Sequence, residues 1–152
     1  MSIFDQLDQG ITTRSISETN AVATALAQAL PIDSILTLRG DLGAGKTTFV
    51  KALALALGVK GPIKSPTYNI FSIHQGTIQL VHMDAYRLSG PNAIEELMLE
   101  EFLQSPYCLV IEWPERIIDW LPSATIALSL SIQDEHTRLI QTDLTTNFQQ
   151  SE

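Results

Sequence analysis

An α/β domain with a mixed central sheet, flanked by helices and carrying two antiparallel hairpins, is the fold class that the sequence predicts. Two observations lead to it. Strand-like apolar runs alternate with helix-forming segments along the chain. Two pairs of those runs are separated only by turn residues, one pair around Gly76 and the other around Asp134–His136. The 152 residues, with 45% hydrophobic content and a mean hydropathy of +0.12, suit one domain with a real core rather than a disordered chain.

The elements follow in order. Thr12–Ile16 reads as a short strand. Ser17 is placed to cap a helix running to about Leu30, with Glu18 at its positive end and Pro31 closing it. Ser34–Arg39 is a strand, and Lys46–Leu57 is a helix that Gly58 ends. SPTYNIFSIHQ and TIQLVHMD form a hairpin at Gly76. Pro91–Gln104 is helical, with Leu97, Phe102 and Leu103 as its apolar face. Tyr107–Ile111 is a buried strand and Pro114–Leu121 a short helix. TIALSLSI alternates, which puts Ile126, Leu128, Leu130 and Ile132 on one face, and Thr137–Leu144 returns beside it. The domain therefore spans residues 1–145, with a frayed tail at 146–152.

Between the Ser34–Arg39 strand and the next helix lies Gly40-Asp41-Leu42-Gly43-Ala44-Gly45-Lys46-Thr47-Thr48, which satisfies G-x-x-x-x-G-K-[ST] without mismatch. Glycines let successive backbone N–H groups turn inward on a phosphate, and the helix behind adds its dipole. Lys46 then reaches the β- and γ-phosphates and the Thr47 hydroxyl ligates Mg2+. The strand–loop–helix setting makes this a phosphate-loop NTPase domain. A second acid is needed for the metal shell and the attacking water, and LVHMD ends in Asp84 as LVIE ends in Glu112.

Several nucleotide enzymes are disfavoured. No Asn-Lys pair occurs, so the guanine-reading motif Asn-Lys-x-Asp is missing. Oligomeric motor ATPases usually carry more chain for a lid. A small-molecule kinase needs several arginines over its phosphates, and beyond Lys64 only Arg87, Arg116 and Arg138 are basic. The kinase stays open as an alternative. So does a nucleotide-gated docking module that needs no hydrolysis.

GDLGAGKTT, SPTYNIF, HMDAYRL and IEWPE, in that order, resemble the TsaE (YjeE) family from about Thr13 to Leu139. The resemblance implies a small bacterial ATPase using ATP and Mg2+ in tRNA threonylcarbamoyladenosine biosynthesis. It further implies an accessory subunit beside a threonylcarbamoyl transferase subunit and that subunit's paralogous partner. Hydrolysis would be slow alone and would reset the complex between cycles. It implies a switch-like loop at Ser65-Pro66-Thr67-Tyr68, with Thr67 near the γ-phosphate and metal. Glu112 would enter the Mg2+ shell and Asp84 would support it or orient water, although the two roles are interchangeable on the sequence. Arg138 and Ser17 align near the bound nucleotide. Tyr86 and Arg87 match a family motif, and Arg87 could equally pair with the acidic helix. Trp113 stacks near the nucleotide, meets a partner or packs in the core, while His82 reads as a structural hydrogen-bond partner rather than a base. One departure is Met98, in ELMLEEF, where the family pattern places glycine; it bears on the local backbone and not on the nucleotide site.

The charge is uneven. The net charge of -8 divides into six basic and five acidic residues up to Lys64, then three basic and twelve acidic ones after it. A phosphate-tracking basic surface is therefore not expected, and tRNA contact should be indirect, through a partner. Glu95, Glu96, Glu100, Glu101, Glu115 and Asp119 form either a solvated face or one that steers docking to a basic partner. The lone Cys108 sits in an apolar run, no basic leader opens the chain, and no apolar stretch approaches membrane-spanning length. A cytoplasmic location is the expectation.

Overall fold

A computed structural model describes residues 1–41, 43–63 and 70–143. Leu42, the Ser65–Tyr68 loop with Thr67, and the tail at 146–152 lie outside the described residues.

The chain opens with a helix that the sequence reading did not assign, α1 (Ile3–Gln9). Ser2 caps it by accepting from the Asp5 N–H at 3.1 Å, and Gly10, at φ 92°, ends it. Its buried residue is Leu7. β1 is Ile11–Thr13, shorter and earlier than the expected Thr12–Ile16. The cap of α2 (Ile16–Ala29) is Ser15 rather than Ser17: Ser15 Oγ accepts from the Glu18 N–H, and Glu18 accepts from the Arg14 N–H. That is a Ser-x-x-Glu capping pattern displaced two residues towards the N-terminus from the expected start.

β2 (Ser34–Arg39) and α3 (Lys46–Ala56) lie where the sequence placed them. β3 (Phe71–His74) and β4 (Gln79–Asp84) form the first antiparallel hairpin. The expected helix at Pro91–Gln104 is broken: α4 (Pro91–Glu96) stops, Met98 turns left-handed at φ 52° and ψ 43°, and a 3-10 turn follows at Leu99–Glu101. There are two physical reasons. A continuous helix would set Glu96 above Glu100 at the repelling i, i+4 spacing. It would also point Ile94 and Leu99, five residues apart, to different faces; the break lets both bury completely. Phe102, expected on the buried face, is instead exposed. β5 (Tyr107–Glu112) leads into a 3-10 segment, Pro114–Trp120, in place of the expected helix. β6 (Ile126–Ile132) and β7 (Arg138–Thr142) make the second hairpin, with Ile132 exposed at its outer end.

Among the described residues the sheet has seven strands, in the order β1-β7-β6-β2-β5-β4-β3. The four central strands, β6, β2, β5 and β4, pair in parallel, while β7 and β3 pair antiparallel to their neighbours. Both faces are covered, so β5 reads as a continuous apolar run whose residues divide by alternation. Cys108 and Val110 join Phe49, Leu53 and Leu26 on the face under α1–α3. Leu109 and Ile111 join Ile94, Leu99 and Ile117 on the other. Full burial of Phe49 or Leu53 contributes about 1.5–3 kcal/mol each. The consequence for function lies at one edge: the C-terminal ends of β2, β4 and β5 emerge together.

Candidate nucleotide site

At that edge β2 gives way to the glycine-rich loop. The Ala44 N–H donates to the Asp41 carbonyl at 3.0 Å, and Gly43 and Gly45 take left-handed φ values of 83° and 100°. A Cβ built on either would meet nothing within 4 Å among the described residues, which leave the space over the loop open, as a phosphate cradle requires. Gly40 is glycine for the opposite reason. A Cβ there would lie 2.5 Å from the Leu130 carbonyl oxygen, where the loop passes tightly against β6.

Lys46, the first residue of α3, folds back over the loop. Its Nζ donates to the Gly40 carbonyl at 2.5 Å and lies 3.9 Å from the centre of the Trp113 ring. Burial holds this ammonium below the ordinary lysine value, against the opposing fields of Glu112, Glu115, Asp84 and Asp41. Thr47 is exposed at the loop mouth and Thr48 half-buried.

The two acids are brought together by the sheet. Asp84 ends β4, Glu112 ends β5, and the parallel register sets them directly opposite each other. Asp84 Oδ1 accepts from the Tyr86 N–H at 3.0 Å, capping a 3-10 turn at Ala85–Arg87. Glu112 is buried, and its Oε2 accepts from Nε2 of the fully buried His82 at 2.5 Å. Immediately after Glu112 the chain reverses: Trp113 adopts φ 55° and ψ 56°, which turns its indole under the Lys46 ammonium. Tyr86 packs edge-on against that indole, ring centres 5.3 Å apart. Arg87 is exposed and makes no ion pair with the acidic segment among the described residues.

Gly43, Gly45, Lys46, Thr47, Thr48, Asp84, Glu112 and Trp113 line one hollow of about 390 Å3. A second hollow, of about 290 Å3, shares Gly43, Gly45 and Thr48 with the first and continues past Arg14, Ser15, Ile16, Thr19, Glu135, His136 and Arg138. The loop therefore stands between an acid-lined cleft on one side and a smaller hollow on the other, a division that suits a triphosphate and its nucleoside. Arg138, expected beside the nucleotide, lines this second hollow, with Nη2 donating to the Gly43 carbonyl at 3.4 Å. Ser17 is exposed on the first turn of α2 and is not among the lining residues; Ser15, Ile16 and Thr19 line the hollow instead. Those residues, with Glu135 and His136, escaped the sequence reading. The Ser15-x-x-Glu18 cap was the signal that would have placed the start of α2 at the hollow.

Among the described residues, no three His, Cys, Asp or Glu side chains converge to hold a metal unaided. Mg2+ does not require such a cage, because it is bound through one or two carboxylates together with phosphate and water. The all-oxygen set of Thr47, Asp84 and Glu112 around one cleft fits that habit.

Comparison with known proteins gives a family match over residues 13–140, to the model described as "Threonylcarbamoyl adenosine biosynthesis protein TsaE". A tRNA threonylcarbamoyladenosine biosynthesis protein TsaE from Treponema pallidum is 37% identical over 128 residues, covering 84% of this chain and 95% of that protein. Its counterpart from Bacillus subtilis is 36% identical over 124 residues, covering 81% and 77%. The crystal structure of Bacillus subtilis YdiB superposes with a TM-score of 0.67 at 32% identity, over 90% of this chain and 87% of that one.

Proposed function

Since the chain belongs to the TsaE family, we propose that it serves tRNA threonylcarbamoyladenosine biosynthesis as a Mg2+-dependent ATPase, an accessory subunit whose hydrolysis resets the modifying complex between cycles. One observation carries the ATPase reading: the glycine loop with Lys46 and the registered pair Asp84–Glu112 converge on one cleft at the C-terminal edge of the sheet. The backbone N–H groups of the loop and the Lys46 ammonium bind and orient the β- and γ-phosphates. Thr47 and Glu112 would hold the metal, and Asp84 would orient the attacking water. When bound, Mg2+ would supply charge neutralisation to the phosphates. The nucleoside enters the hollow between α2 and the β6–β7 turn, beside Arg138.

The partners in this reading are the threonylcarbamoyl transferase subunit and its paralogue, with tRNA reached through them. Exposed Glu95, Glu96, Glu100 and Glu101 suit docking to a basic surface. No helix among the described residues is long and apolar enough to cross a membrane, which is compatible with work in the cytoplasm.

The test is phosphate release from ATP by the purified protein with the transferase subunits, beside a Lys46→Ala variant. Hydrolysis well above the variant, rising when the subunits are added, is expected. Equal rates would end the ATPase reading, and label from γ-phosphate on a small acceptor would favour the kinase.

A further inference from the structure

His82 is wholly buried and sits two residues before Asp84, on the same face of β4 by alternation. The register pairs His82 with Val110 and Asp84 with Glu112, so the imidazole lies diagonally across from Glu112 and reaches its Oε2. A carboxylate can only accept, so Nε2 carries the proton in this bond. Nδ1, on the other edge of the ring, is buried and has no hydrogen-bond partner among the described residues. A residue present for packing alone would be apolar here, because burying an imidazole with one nitrogen unmatched is unfavourable. Among the described residues, the single polar contact of this ring is to the acid of the cleft.

Glu112 also faces a rival. Its field is the largest of those favouring the charged form of Lys46, yet no ion pair joins the two among the described residues. Without another donor, the carboxylate would be free to swing onto the ammonium, tying up the charge needed for the phosphates.

We propose that His82 is a positioning residue: its Nε2–H commits one oxygen of Glu112, which keeps the carboxylate off Lys46 and presents the other oxygen to the cleft. The inference rests on the reading of Glu112 as a metal-shell acid. Partners that orient a ligating carboxylate typically matter ten- to a hundredfold in metal affinity or activity.

The test compares His82→Gln, whose amide N–H extends as far as Nε2, with His82→Asn, whose amide falls short. Both are polar, and thermal melts check that both fold. The readouts are the affinity of the protein–ADP complex for Mn2+, measured by electron paramagnetic resonance, and kcat and KM for ATP. His82→Asn should weaken Mn2+ binding and lower kcat by about tenfold or more, leaving KM within about threefold, whereas His82→Gln should recover both to within about threefold. Equal losses in the two variants would reduce His82 to a packing role, and no loss in either would also overturn the proposal. A Glu112→Gln variant separates the two levels. If it binds Mn2+ as wild type does, the metal-shell reading falls and the inference with it. If it loses Mn2+ while His82→Asn keeps it, only the inference falls.

Discussion

Replacing Gly43 by alanine separates the cost of a left-handed residue from the cost of filling the cradle. Gly43 has φ 83°, and a Cβ there meets no atom of the described residues within 4 Å. Folding should therefore lose only the left-handed penalty, about 1–2 kcal/mol. For a chain of this size that lowers Tm by roughly 2–4 °C per kcal/mol. The binding penalty has a separate origin. The methyl group would stand in the open space over the loop, where the phosphates are proposed to lie. Losing one charge-assisted hydrogen bond to a backbone N–H costs about 1.5–3 kcal/mol, or roughly ten- to a hundredfold in Kd. Calorimetric titration with ADP and a thermal melt of the ligand-free protein read the two separately. Gly40→Ala is the contrast. Its Cβ would lie 2.5 Å from the Leu130 carbonyl oxygen, and overpacking of that kind costs about 1–3 kcal/mol by moving backbone, so it should destabilise β6 as well as disturb the loop. An ADP affinity for Gly43→Ala within threefold of wild type, alongside the expected melt, would refute the placement of the phosphates.

Three further perturbations probe the same cleft and core. In a Trp120→Phe background, Trp113 is the sole tryptophan, and saturating ADP should change its emission as the Lys46 ammonium 3.9 Å from its ring is drawn to phosphate; unchanged emission would contradict that movement. Met98→Gly should raise Tm by about 1–4 °C, because relief of a left-handed residue at φ 52° with a half-exposed side chain, about 1–2 kcal/mol, outweighs the roughly 0.5–1 kcal/mol entropic cost of glycine; a fall in Tm would mean the side chain packs. Burial pushes the Cys108 thiol up to about 12 from 9.0. Being raised in the folded state, it contributes stability that is full below pH 9 and is lost as pH climbs towards 12. Cys108→Ala should be less stable at pH 7 by about 1 kcal/mol for the small cavity, yet lose stability less steeply between pH 9 and 12, as urea titrations at each pH would show.

What could be read from sequence was what is encoded locally. The Gly40–Thr48 loop needs only its own residues and the strand and helix beside it, and β2 and α3 fall where those residues place them. Asp84 and Glu112 could be named because each terminates an apolar run, but their opposition depends on β4 and β5 being neighbours, which only the strand order provides. The His82–Glu112 bond joins residues thirty apart in the chain. His82 was legible as a hydrogen-bonding residue and its partner was not. The break at Met98 arises from competition between helix propensity and the burial of both Ile94 and Leu99. Propensity read alone gave the helix. The start of α2 was lost differently, since Ser15 and Ser17 both suit a cap and only Ser15 has Glu18 three residues on.

Ion pairs and one left-handed residue set the arrangement of charges at the cleft. Arg39, the last residue of β2, pairs through Nε with Glu115 at 2.8 Å and Asp143 at 3.3 Å. That ties the segment after Glu112 to the strand that launches the loop. Between Glu112 and Glu115 the chain must reverse within one residue, and Trp113 does so in a left-handed conformation of the kind that costs of order 1–3 kcal/mol. The reversal leaves Glu112 against His82 and carries the indole under Lys46. Were Trp113 extended, β5 would run on past the cleft, and the ammonium would lose the aromatic face that shares it with the Gly40 carbonyl. The strain at Trp113 is therefore repaid in placement: the indole lies 3.9 Å from the Lys46 ammonium while Glu112 stays bonded to His82.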